Sequence, residues 1–87
     1  MRLLWDEKAW EEYCQWQRQD KRTLKKINSL IKDMQREPYD GIGKPEGLSG
    51  NLSGWWSREI DEKNRIVYRV KDGAIVIAQC EGHYDDK

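Results

Sequence analysis

Apolar residues change their spacing once along this chain, from a helical period in the first half to a period of two in the second. Arg2-Leu3-Leu4-Trp5 is a short apolar run closed by Asp6, a good N-cap, so it reads as a strand handing over to a helix. Ala9, Trp10, Tyr13, Cys14 and Trp16 then recur at helical spacing. That face is expected to be buried, with Glu7, Lys8, Glu11 and Glu12 in water. A second helix is expected from near Asp20, with Leu24, Ile27, Leu30, Ile31 and Met34 on one face, until Pro38 stops it. Residues 38–54 carry Gly41, Gly43, Gly47, Gly50 and Gly54 with Pro38 and Pro45, a loop region with room for one short strand.

From Trp55 onward, Trp56, Arg58 and Ile60 form one stripe and Ile66, Tyr68 and Val70 another, on either side of the turn-like Asp61-Glu62-Lys63-Asn64. Asp72-Gly73, between Val70 and Ala74-Ile75, is a strong two-residue hairpin signal. The order strand, helix, helix, then an antiparallel sheet of three or four strands predicts an α+β fold with both helices on one face.

Composition narrows this to one domain over residues 1–87, with residues 85–87 as a short acidic tail. A chain of this size buries only about 60–65% of its unfolded surface, so the core must be thin. With no Phe, five Trp and four Tyr must supply the aromatic volume. Trp55-Trp56 reads as core plus surface cover rather than a base-stacking platform.

The formal net charge is zero, yet its distribution is uneven. Residues 18–36 hold seven basic side chains against two acidic ones, a local +5, whereas residues 72–87 hold one basic against four acidic, a local −3. A polyanion should therefore meet the second helix and avoid the tail. Cys14 and Cys80 are far apart in sequence and there is one histidine, so no zinc-ligand cluster is expected and both cysteines read as buried thiols. No apolar run approaches the roughly 20 residues of a membrane helix and the start lacks a signal-peptide pattern, so no membrane association and a cytoplasmic location are expected.

The lone histidine, His83, follows the apolar run Ile75-Val76-Ile77-Ala78 and precedes Tyr84. Imidazole titrates near neutrality, which suits proton transfer. Antiparallel pairing around Asp72-Gly73 returns the end of the last strand alongside the start of the one before it, bringing His83 to the same end of the sheet as Arg65. Glu46, in the Gly-Pro loop, adds a carboxylate. A base, a cation and an acid near a basic helix suit RNA cleavage by its own 2′-hydroxyl: Glu46 to take the proton, Arg65 to stabilise the phosphorane and His83 to protonate the 5′-oxygen. That chemistry needs neither metal nor cofactor. Tyr84 can stack on a base or donate a hydrogen bond to phosphate. Each residue also has a plain reading, as a solvated carboxylate, a strand-edge charge, a hydrogen-bonded surface imidazole and a packed terminal ring.

Leu3-Leu4-Trp5, Asp20-Lys21-Arg22, Lys25-Lys26-Ile27-Asn28, Gly43-Lys44-Pro45-Glu46, Asn51-Leu52-Ser53-Gly54, Trp56-Ser57-Arg58, Arg65-Ile66-Val67-Tyr68 and His83-Tyr84 together resemble the YoeB toxins of the RelE superfamily, without gaps over residues 1–84. The resemblance implies a RelE-like small ribonuclease, an mRNA interferase that cuts mRNA in the ribosomal A site. It carries catalytic roles to Glu46, Arg65, His83 and Tyr84, and contacts with rRNA or mRNA to Lys21, Arg22, Lys25, Lys26, Lys44 and Arg58. The implied partners are a cognate antitoxin, the 70S ribosome with mRNA, operator DNA through the antitoxin complex alone, and a second copy in a homodimer. Departures are Glu59 and Ser49, where such toxins often show basic residues, and the tail Asp85-Asp86-Lys87. The rival class is a non-catalytic antitoxin-binding corepressor or RNA-binding module on the same scaffold.

Overall fold

A computed structural model, which describes residues 1–83, contains β1 (Arg2–Trp5), α1 (Glu7–Gln19), α2 (Lys21–Arg36), β2 (Glu46–Gly47), β3 (Trp56–Glu59), β4 (Arg65–Lys71) and β5 (Ala74–Gln79). Both helices begin and end near the positions that spacing and capping suggest. Asp20 caps α2, its Oδ1 accepting from the backbone N–H groups of Arg22 and Thr23 at 3.1 and 3.2 Å. Hydrogen bonds from Thr23 and the backbone hold the Asp20 carboxyl below its ordinary pKa. Glu37 ends α2 in an extended conformation, as the residue before a proline must. Asp6 makes no side-chain cap, and instead its N–H donates to Ile77 O at 2.9 Å, tying the end of β1 to β5.

The sheet has five strands in the order β1-β5-β4-β3-β2, and β1 runs parallel to β5 while every other pair is antiparallel. The four strands after the helices form the expected antiparallel array, and β1 joins its edge as a parallel fifth strand, a pairing that was not predicted. Hairpin signals mark only antiparallel neighbours, whereas β1 and β5 are joined through the whole intervening chain and leave no local turn signature.

Alternation gives the sheet two unlike faces. Leu3, Trp5, Ile66, Tyr68, Val70, Ile75 and Ile77 pack with Ile27, Leu30, Ile31 and Met34 of α2 and Ala9 and Trp16 of α1. The registers Glu46↔Ser57↔Val67 and Glu59↔Arg65 put a second, polar set on the opposite face. Between Val67↔Gln79 and Tyr68↔Ile77 the ladder skips Ala78, a bulge in β5. Beyond it Cys80 turns inward, its Sγ 3.6 Å from Ala9 O and its carbonyl accepting from Trp16 Nε1 at 3.0 Å.

Three expectations for α1 and the cysteines are corrected. Trp10 is exposed, covering Trp5 and Tyr13 with ring centroids 5.5 and 5.7 Å away. Glu12 is partly buried, because its Oε1 accepts from the backbone N–H of Cys80 at 2.8 Å. Cys80 is buried as expected, whereas Cys14 is only half-buried.

Candidate active site

Three strands and the segment after β5 deliver one charged cluster to the sheet face opposite the helices. Arg65 opens β4 and sits at its centre, with Nη1 3.6 Å from Glu46 Oε1 on β2 and Nη2 3.4 Å from Glu59 Oε2 on β3. Its Nε donates to His83 Nε2 at 3.0 Å. Lys44 Nζ lies 3.9 Å from Glu59 Oε1 at the rim. The Arg65 side chain is 18% exposed against 54% for Glu46, so the cation forms the floor and the carboxylate reaches solvent.

Backbone contacts set this geometry. The N–H of Arg65 donates to Gly82 O at 2.9 Å, extending the β4–β5 pairing past the last strand residue and docking His83 beside β4. In the β3–β4 turn, Asp61 Oδ1 accepts from the N–H groups of Lys63 and Asn64 at 2.8 Å each. The Asn64 side chain then uses its own Oδ1 to accept from Gly82 N at 2.8 Å. Gly43 (φ 80°) and Lys44 (φ 52°) both adopt the left-handed region, and this double turn swings Pro45-Glu46 onto the sheet edge. A guanidinium Nε is always a donor, so His83 Nε2 is the acceptor of this hydrogen bond.

Hairpin direction thus placed His83 and Arg65 together from sequence, and Glu46 joins them. Tyr84 and the tail residues Asp85, Asp86 and Lys87 lie outside the described residues. Lys21, Arg22, Lys25 and Lys26 are exposed, but on α2, across the sheet from the cluster. Arg22 and Lys26 line a shallow groove of about 310 Å³ with Thr23, Ile60 and Asp61. Of the expected RNA-contacting cations, only Lys44 joins the cluster.

The expectation for Arg58 is corrected. Alternation points it away from Glu59 and into the helix side, where it is fully buried. Its Nε donates to Tyr68 Oη at 3.0 Å, Nη1 to Asp33 Oδ2 at 2.6 Å and Ile42 O at 3.1 Å, and Nη2 to Glu37 O at 2.7 Å and Asp40 O at 3.0 Å. Arg58 is therefore an internal clamp on residues 37–42, with no surface to offer a phosphate. Tyr68, whose hydroxyl also donates to Pro38 O at 2.7 Å, completes it, and burial pushes the phenol pKa up.

Two residues were missed as site members. Glu59, in sequence a departure from the basic residue such toxins often show, lies directly across from Arg65 because of the turn at 61–64. Ser57, opposite Glu46, is fully buried on the same face, and its hydroxyl has no hydrogen-bond partner among the described residues. Period-two counting outward from that turn would have found both.

A family model described as the YoeB-like toxin of bacterial type II toxin–antitoxin systems matches residues 5–84. Toxin YoeB of Escherichia coli K12 is 55% identical over 84 residues, 97% of this chain and 100% of that protein. The YoeB/ParE toxin from Agrobacterium tumefaciens superposes with a TM-score of 0.92 at 44% identity, covering 97% of this chain and 100% of the other. YoeB of Staphylococcus aureus, solved as a dimer and as a heterotetrameric YoeB-YefM toxin–antitoxin complex, superposes at 0.89 with 44% identity, covering 97% and 98% of the two chains. With a matching family model over nearly its whole length and relatives this similar, the chain belongs to the YoeB-like toxins of bacterial type II toxin–antitoxin systems.

Proposed function

We propose that this protein is a cytoplasmic, ribosome-dependent endoribonuclease that cleaves mRNA in the A site and so inhibits translation. The observation that carries the reading is the convergence on Arg65 of Glu46 at 3.6 Å and His83 at 3.0 Å, from three separate segments. Glu46, exposed at the rim, removes the proton from the 2′-hydroxyl. The 2′-oxygen attacks phosphorus, forming a cyclic phosphate as the bond to the 5′-oxygen breaks. Arg65 balances charge on the phosphorane, and His83 delivers a proton to the departing 5′-oxygen.

The hydrogen bond from Arg65 to His83 Nε2 makes the two roles consecutive. A phosphate that draws the guanidinium away frees Nε2 to take up a proton from solvent, and His83 then donates that proton to the 5′-oxygen. Tyr84 assists the acid, while Lys44 and the α2 cations Lys21, Arg22, Lys25 and Lys26 meet RNA phosphates. Glu46 receives one proton and His83, recharged from solvent, gives one, so no cofactor is invoked. The Staphylococcus aureus complex with YefM and the dimer of that YoeB support a cognate antitoxin and self-association here, with operator DNA reached through the antitoxin.

Toeprinting on translating 70S ribosomes tests the reading. The protein should produce new breaks within A-site codons, and Glu46→Ala and His83→Ala should each slow them by about 10²–10⁴-fold. Full-rate cleavage by both variants refutes the mechanism, and no cleavage by the wild type favours the non-catalytic binding module. Rapid cutting of naked mRNA at many sites refutes ribosome dependence.

A further inference from the structure

Glu59 holds both cations that a phosphate entering this cluster would use. Its Oε2 is 3.4 Å from Arg65 Nη2 and its Oε1 is 3.9 Å from Lys44 Nζ. Carboxylate and phosphate present the same two-oxygen edge to a guanidinium. Both separations exceed the 2.7–2.9 Å of a tight charge-assisted pair, and the Glu59 side chain is 39% exposed, so these contacts can exchange. Charge count points the same way. Among the described residues, Lys44 and Arg65 are matched by Glu46 and Glu59, and losing Glu59 would shift that balance by one positive charge. Glu46 is needed as the base in the proposed reaction, which leaves Glu59 as the carboxylate with no part in it.

We propose that Glu59 is a built-in competitor for the RNA phosphate: its carboxylate occupies Arg65 and Lys44, and RNA binds by displacing it. The inference rests on the reading that this cluster receives an RNA phosphate. It makes Glu59 a determinant of affinity rather than a catalytic residue, and it sets the protein's grip on RNA below what its cations alone would give.

The test measures binding apart from cleavage. A short single-stranded oligoribonucleotide, 2′-O-methylated so that it cannot be cut, is titrated into the wild type and Glu59→Gln at low salt. Glu59→Gln should bind about five- to tenfold tighter, the scale of one unit charge removed at this distance in a water-exposed setting. The gain should shrink as NaCl approaches about 1 M, where screening reaches only a few ångströms. It should also shrink in an Arg65→Ala background and vanish when Lys44→Ala is added to it. Glu59→Ala, which removes the side chain as well, should show the same direction.

Unchanged or weaker binding by both variants, no measurable binding by either included, overturns the proposal. So does a gain that persists at high salt or in the absence of both Arg65 and Lys44. Toeprinting on the same preparations separates the two claims. A wild type that fails to cut on ribosomes, with the Glu59→Gln gain intact, counts against the proposed reaction alone. A wild type that cuts, with no gain in the variant, counts against the competitor alone.

Discussion

Replacing Arg58 by alanine removes the partner of five acceptors at once: Tyr68 Oη, the Asp33 carboxylate and the carbonyls of Glu37, Asp40 and Ile42. Counted separately at about 1.5–3 kcal/mol each, these bonds would equal the whole stability of an 87-residue domain, about 4–13 kcal/mol. The sum overstates the cost because Asp40 and Ile42 lie in an exposed segment whose carbonyls regain water once released. What remains is the loss of a buried, hydrogen-bonded cation, for which about 3–5 kcal/mol is the appropriate scale. Arg58→Ala should therefore lower the thermal midpoint by about 15–30 °C. Arg58→Lys should recover only part of this, since one ammonium cannot span acceptors on three segments. Urea titration followed by Trp fluorescence reads the loss directly, with Trp56, 4.8 Å from Tyr39, reporting on the clamped segment. A fold stabilised by less than about 1 kcal/mol through Arg58, together with weaker RNA binding by the variant, would refute the clamp and restore a direct RNA contact.

Three further outcomes follow from individual groups. Hydrogen bonds from Arg36, then Arg58 and the Ile42 N–H, hold the Asp33 carboxyl far below the ordinary carboxylate range. Its stabilisation is complete above the unfolded pKa and lost as pH falls through the folded one, so urea midpoints should drop below about pH 4 and Asp33→Asn should reduce that slope. Glu12 is the opposite case: burial raises its pKa, the folded state binds the extra proton, and this group's contribution falls as pH rises through the window. Glu12→Gln should thus stabilise the protein at pH 7 relative to its effect at pH 4, and an equal effect at both would refute the assignment. Burial, with Glu12 and Glu81 nearby, pushes the Cys80 thiol up to about 12. In native protein at pH 8, iodoacetamide should leave Cys80 unmodified until denaturant is added, and labelling at the same rate as Cys14 would contradict this.

The parts of the fold legible in sequence were those with a local cause. Asp72-Gly73 determined the β4–β5 hairpin, and with it the meeting of Arg65 and His83. Asp20 and Pro38 marked the ends of α2. The parallel β1–β5 pair was not legible, because no turn joins its strands. Arg58 was hidden for a related reason. Its stripe partners Trp56 and Ile60 already pointed inward, but three of its five acceptors are backbone carbonyls, which leave no trace in residue identity. Helical spacing also overestimated how far α1 is covered. Trp10 falls on the edge of its apolar face, where Trp5 and Tyr13 share it but no further layer closes over it.

The bulge at Ala78 divides β5 by parity. Before it, the odd-numbered Ile75 and Ile77 face the helices, and after it the even-numbered Cys80 does. A regular ladder at unchanged length would pair Ala78 with Val67, turning Gln79 inward and Cys80 outward and moving His83 off Arg65, whereas deleting Ala78 would keep Gln79 on Val67 and both faces as they are. When relatives are aligned, a single gap in β5 is therefore neutral at Ala78, where it removes only the bulge, and disruptive before it, where it turns the inward residues outward. One unpaired residue keeps two registers in the same strand, the first serving the core and the second the imidazole.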